Sequence, residues 1–147
     1  MRAMLLRFMC LIFATWLVAP SLALAQAQSL SRSDEKNIRA VVQSQLDAFA
    51  SDNSEKAFSY ATPGIQKVMG SAERFMAVVQ SSYPMVYRPA SVAFLRPNEV
   101  TGEVIQRVQI TDAAGSQWLA TYRMELQKNK TWRIGGCVVV PDTRQSA

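Results

Sequence analysis

Few residues in this chain could do chemistry, and the most telling fact about them is an absence. The 147 residues include no histidine. That removes the side chain most used as a general base and as a metal ligand near neutral pH. Ser-His-Asp and Cys-His catalysis are excluded with it, as are ordinary zinc sites. No metal site and no cofactor is expected. Asp47 is the one carboxylate whose placement hints at catalysis. It sits one residue after Leu46 and two before Phe49 in an amphipathic segment. Turned into an apolar pocket, it would have a raised pKa and could act as a general base, with a tyrosine stabilising the oxyanion. It lies beside the apolar stripe rather than within it, so a solvent-facing or capping role competes.

Binding chemistry has more candidates. Phe58, Tyr60, Tyr83, Tyr87, Trp118, Tyr122 and Trp132 could wall a pocket, each pairing an apolar body with ligand contact or ordinary packing. Tyr60, Tyr87, Trp118 and Tyr122, with Arg88, are the expected ligand contacts. Arg88 offers the planar fork that clamps a carboxylate. It could equally pin its own connection through Asp47, Glu73 or backbone carbonyls. Cys137 lies among valines and is read as a buried, inert small hydrophobe. A thiol pairing two chains and a catalytic thiolate are the alternatives.

The elements that must position these residues follow from periodicity. Ser31 or Ser33 is the expected N-cap of a helix with Asp34 and Glu35 in its first turn. Ile38, Val41, Val42, Leu46 and Phe49 form its apolar stripe, and it runs to about Ala50. A short second helix spans Ser54 to Thr62 and is broken by Pro63-Gly64, with one further turn to Met69. A third starts at Ser71 and ends before Pro84, because the residue ahead of a proline avoids helical angles. The period then changes to two. Strands are expected over Ser91–Leu95, Val100–Thr111, Gln117–Gln127 and Thr131–Val140, with a hairpin turn at Asp112-Ala113-Ala114-Gly115. On the last strand, Trp132, Ile134, Val138 and Val140 are assigned to one face. Gly135-Gly136 suggests a bulge or bend. The result is an α+β domain: three N-terminal helices packed on a curled four-stranded antiparallel sheet.

Residues 1–25 read as a cleavable signal peptide. Arg2 and Arg7 precede the apolar run Phe8–Ala19, Pro20 and Ser21 break that run, and Ala23-Leu24-Ala25 supplies the small-x-small cleavage site. Cleavage after Ala27 is the alternative. An uncleaved anchor competes, but a span needs roughly 20 apolar residues. A polar leader over 26–32, a single domain over 33–140 and a loose tail over 141–147 complete the expected organisation. The product is expected to be periplasmic or secreted, with no membrane attachment after cleavage. Cys10 leaves with the signal, so Cys137 has no intramolecular partner. The formal charge falls from +5 to +3 as Arg2 and Arg7 go, and the remaining basic residues are scattered. Nucleic-acid binding is therefore not expected.

Several strings go beyond pattern: Gln45-Leu46-Asp47-Ala48-Phe49, Ala57-Phe58-Ser59-Tyr60-Ala61 with Pro63-Gly64-Ile65, Tyr87-Arg88-Pro89, Thr111-Asp112 to Trp118, and Trp132-Arg133-Ile134-Gly135-Gly136-Cys137. Together they resemble the bacterial family called domain of unknown function 4864, over nearly all of the chain after the signal. The order of elements resembles the cystatin-like, nuclear-transport-factor-two-like folds. That resemblance implies a cone-shaped pocket under the helices and no established activity, since such superfolds host many functions. The leading expectation is a non-enzymatic module binding a small apolar ligand or a protein. An isomerase or lyase using Asp47 with a tyrosine is one alternative. A structural homodimer, joined through an outer sheet face bearing Gln109, Leu119, Thr121, Arg123 and Gln127, is another.

Overall fold

Ser31 starts the first helix, α1 (Arg32–Ala50), its hydroxyl accepting from the Asp34 amide at 3.0 Å. The computed structural model of the protein describes residues 29–145, so the expected signal over 1–25 lies outside the described residues. The buried face of α1 is Ile38, Val42, Gln45, Leu46, Ala48 and Phe49. Asn53 caps α2 (Ser54–Ser59), its side chain accepting from Lys56 N at 3.0 Å. Asp52 takes φ 55° and so turns the chain between the two helices.

Among the described residues there are five α-helices where three were expected, and proline explains the difference. Pro63 and Pro84 each open a helix instead of merely ending one. A proline at the first helical position loses an amide that would be unpaired anyway. Thr62 caps α3 (Pro63–Met69), which closes on Gly70 at φ 84°. Ser71 caps α4 (Ala72–Ser82), and α5 (Pro84–Tyr87) is a single turn after it.

The expected strand beginning at Val100 is two strands. Thr101 and Gly102 both have positive φ, 49° and 81°, the signature of a two-residue hairpin turn. It joins β2 (Asn98–Val100) to β3 (Glu103–Thr111). The short β1 (Ser91–Phe94) pairs with the other end of β3. Next come β4 (Gln117–Leu126) and β5 (Trp132–Pro141), giving the antiparallel order β1-β3-β4-β5 with β2 beside β1 on the β3 edge. The helices pack on one face of this sheet. Ile38, Val42 and Phe49 form one buried cluster with Val108, Ile110, Ala120 and Tyr122, all at or near zero exposure. Burial of each large side chain contributes about 1.5–3 kcal/mol before entropy is set against it.

The face assigned to β5 is half wrong, and the bulge is the reason. Met124 pairs with Ile134 and Arg123 pairs with Gly136, leaving Gly135 as the extra residue. One inserted residue reverses every side chain after it. Trp132 and Ile134 face the core as expected. Beyond the bulge Cys137 and Val139 pack against it, while Val138 and Val140 are 64% and 45% exposed.

The tail expected to be loose from Pro141 is tied down at its start. Pro141 is still paired in β5, and Asp142 donates its amide to Gln117 O at 2.9 Å. The Asp142 carboxylate is buried and accepts from Arg144 Nε at 2.9 Å and Gln109 Nε2 at 3.3 Å. The Arg144 hydrogen bond is the main reason its pKa falls to about 2.

Candidate ligand cavity

The helices do not fill the space above β4 and β5. A cavity of about 260 Å³ remains there. Gln45 and Phe49 reach it from α1, Ile65 and Met69 from α3, Phe75, Val78 and Val79 from α4, and Tyr83 and Val86 from the α4–α5 corner. Tyr122, Ile134, Gly136 and Cys137 of the sheet complete the lining, with Ala61 beside them. None of these residues carries a formal charge. The loop before α3 closes one side by pairing with the β5 edge: Thr62 N donates to Ile134 O at 2.9 Å, and Ile134 N to Tyr60 O at 2.8 Å. Helix α3 itself has no fully buried residue.

Polar groups in the wall are sparse. Gln45 is 3% exposed and donates Nε2 to Ala57 O at 3.1 Å, which fixes the amide against α2. Tyr122 is 1% exposed, and its hydroxyl has no hydrogen-bond partner among the described residues. Its cross-strand partners are Gln106 on β3 and Cys137 on β5. Gln106 does not line the cavity; its Nε2 is held by Leu95 O and Arg107 O at 2.7 and 2.8 Å. Burial pushes the Cys137 thiol up to about 12. Burial, with Cys137 as a lesser cause, also pushes the Tyr122 phenol well above its ordinary value. Both groups therefore stay protonated near neutral pH, and Cys137 does not supply a thiolate nucleophile there.

Most of the residues expected at a site are elsewhere. Asp47 is exposed and accepts from Gln43 Nε2 at 2.9 Å one turn back on α1. It is outside the cavity, so the arrangement of a buried Asp47 base beside a tyrosine does not exist. Tyr87 donates its hydroxyl to Asp52 Oδ1, and Arg88 donates to Asp52 Oδ2 at 2.9 Å while its guanidinium lies 4.8 Å from the Tyr87 ring centre. This cluster pins the α1–α2 turn to the connection entering the sheet, through Asp52 and not through Asp47 or Glu73. Trp118 donates to Asp112 Oδ2 at 2.9 Å and braces the β3–β4 hairpin, holding that carboxyl below its usual range. Trp132 donates to Asp34 Oδ1 at 3.0 Å. Phe58 stacks at a tilt on Phe75, 5.5 Å between ring centres. Tyr60 borders a shallow polar groove with Arg133 and Lys130.

Of the five expected ligand contacts only Tyr122 lines the cavity, joined by Tyr83 from the wider aromatic set. Gln45 was missed. Its signal was legible, since it is a glutamine three residues after Val42 and four before Phe49, on the apolar stripe itself. Ile65 and Met69 were missed because α3 was read as a fragment.

Among the described residues no three histidine, cysteine or carboxylate side chains group to hold a metal, and no helix is long and apolar enough to cross a membrane. A search of curated proteins finds no significant match. A family model does match, over residues 31–147. The chain belongs to the family described as a domain of unknown function, DUF4864.

Proposed function

We propose that this domain is a non-enzymatic binding module for a small, neutral, mostly apolar molecule held in the cavity between α1, α3, α4 and the sheet. One observation carries the reading: a partly open space of about 260 Å³ between the helices and the sheet, lined by no charged residue. Protein interiors are close-packed and leave few voids larger than a water molecule. A 150 Å³ apolar cavity already admits benzene. The absence of a charged lining residue argues against ionic ligands, since a buried ion without a counter-charge is strongly disfavoured. Toluene titrated into isotope-labelled protein should shift amide signals of α3, α4 and the Gly136 region. Val79→Phe, which fills the void, should abolish those shifts. Shifts that survive Val79→Phe, or that map to the outer sheet face, would overturn the reading.

A second reading, self-association through the outer sheet face, has its own support. The bulge turns Val138 and Val140 outward beside Thr121 and Leu119, making that face more apolar than its β4 residues alone imply. Export is part of the same proposal and rests on the pattern of residues 1–25. Native mass spectrometry of the full chain expressed in a bacterium should give a dimer beginning at Gln26 or Gln28, and a monomer for Val138→Lys. A wild-type monomer at high concentration rules out the dimer. A chain still beginning at Met1 rules out cleavage.

A further inference from the structure

The cavity wall carries a polar side chain whose bonding is unfinished, and it narrows what can bind there. We propose that the ligand is a neutral molecule of about one ring that carries a hydrogen-bond donor, the hydroxyl of a phenol or alcohol or an amide N–H, and gives it to Gln45 Oε1. The inference rests on the cavity reading and adds the ligand's chemistry to it.

Three observations carry it. Gln45 lies on the buried face of α1 and lines the cavity with only 3% of its surface exposed. Its Nε2 donates to Ala57 O at 3.1 Å, and that bond decides which way the amide faces, since only the nitrogen end can donate. The oxygen end is thereby turned away from the α2 carbonyl. Secondly, Oε1 accepts no hydrogen bond from any described residue, yet it is not sealed in. The buried side-chain atoms closed to solvent without a partner are, among the described residues, Gln106 Oε1, Arg107 Nε and the Tyr122 hydroxyl. Gln45 Oε1 is not one of them, so it keeps accessible surface, and the open space that Gln45 borders is the cavity. Buried polar groups are nearly always hydrogen-bonded, so an unmet acceptor on that space calls for a donor. A water there would meet the oxygen and leave the apolar wall bare; a donor on an apolar body does both. Thirdly, the rest of the wall does not compete. The Tyr122 hydroxyl is closed off, and the Cys137 thiol stays protonated. The half-buried Tyr83 carries a hydroxyl that can donate or accept, so it selects neither. A carboxylate or an ammonium finds no counter-charge in the lining.

Phenol and toluene test this, being close in shape but exchanging OH for CH3. The ratio of phenol to toluene affinity should fall about fivefold on going from wild type to Gln45→Met, the scale of one hydrogen bond. Taking the ratio cancels the different hydration of the two probes. Methionine keeps the volume of the side chain, and Ala57 O retains the Tyr60 amide at 3.4 Å, so the variant should fold. A readout that needs no variant is the carbon resonance of the Gln45 side-chain carbonyl in wild type. It should move downfield with phenol, as a carbonyl does on accepting a hydrogen bond, and further than with toluene. An unchanged ratio, or equal movement with the two probes, overturns the donor inference while leaving the cavity reading intact. Failure of both probes to bind wild type overturns both.

Discussion

Phe49→Ala should lower the unfolding free energy by about 3 kcal/mol, the lower end for removing a buried phenylalanine. Phe49 is 1% exposed, at the last turn of α1, where the helix meets α4. Its ring lies 5.8 Å from Phe75 at a tilt of 42°, and Phe75 in turn stacks on Phe58. The row holds α1, α2 and α4 together. Two effects oppose each other at this site. Loss of the ring removes a large apolar surface from the core and leaves Phe75 with one neighbour fewer. Phe49 already borders the cavity, however, so it has fewer packing partners on that side than a residue enclosed all round. The second effect keeps the cost near 3 rather than 5 kcal/mol. Domains of this size have about 5–15 kcal/mol to lose, so the variant should still fold at low temperature. Its void merges with the cavity, and it should accept ligands too large for wild type. Urea unfolding checks the first claim: the midpoint should fall with the slope unchanged. A loss below about 1 kcal/mol would mean that the three-ring row does not hold these helices.

The extent to which the sequence disclosed this fold varies with the physics of each element. The α1 stripe, its start at Ser31 or Ser33, the α4 start at Ser71 and the alternation of β4 were readable, because burial on one face imposes a single period. Proline was ambiguous. The same residue that disfavours a helix before it favours one after it, so Pro63 and Pro84 were read as stops when they are also starts. Thr101-Gly102 hid a turn because threonine rarely takes positive φ. The site was harder still. Nothing local to Arg88 says that its carboxylate is Asp52, 36 residues away. Trp118 and Trp132 were credited with a ligand or a pocket wall, yet each spends its indole N–H on an aspartate. An aromatic residue's type gives its capacity for contact; which contact it makes is decided by tertiary packing. Tyr122 could be placed at the site because it stands mid-strand on the buried face, where a hydroxyl has few ways to be satisfied.

The bulge at Gly135 yields the other large expected effect, and it separates two variants that look equally drastic. Gly135 is the one residue of β5 without a partner in the β4 register. Its deletion leaves Trp132, Ile134, Cys137 and Val139 on the inner face by simple alternation. The deletion variant should fold, at a cost of about 1–2 kcal/mol for the lost bend and the lost bond from Arg123 to Gly135 O. Insertion of a glycine after Gly136 does the reverse: it turns Cys137 and Val139 out and Val138 and Val140 in. The Cys137 thiol reports which happened. Held near 12 by burial, against 9.0 ordinarily, it is protonated almost completely at pH 8. Alkylation of native protein at pH 8 should therefore be roughly a thousandfold slower than of unfolded chain, since the thiolate is the reactive form. The deletion variant should keep that protection and the insertion variant should lose it. The same shift fixes a pH dependence. The folded state holds the thiol proton more tightly than the unfolded state, so Cys137 contributes its full stability below pH 9 and loses it as pH rises towards 12. Cys137→Ala should flatten the alkaline fall in stability over that window. A rapidly alkylated wild type, or a deletion variant as reactive as the insertion variant, would show that the bulge does not set which face of β5 is buried.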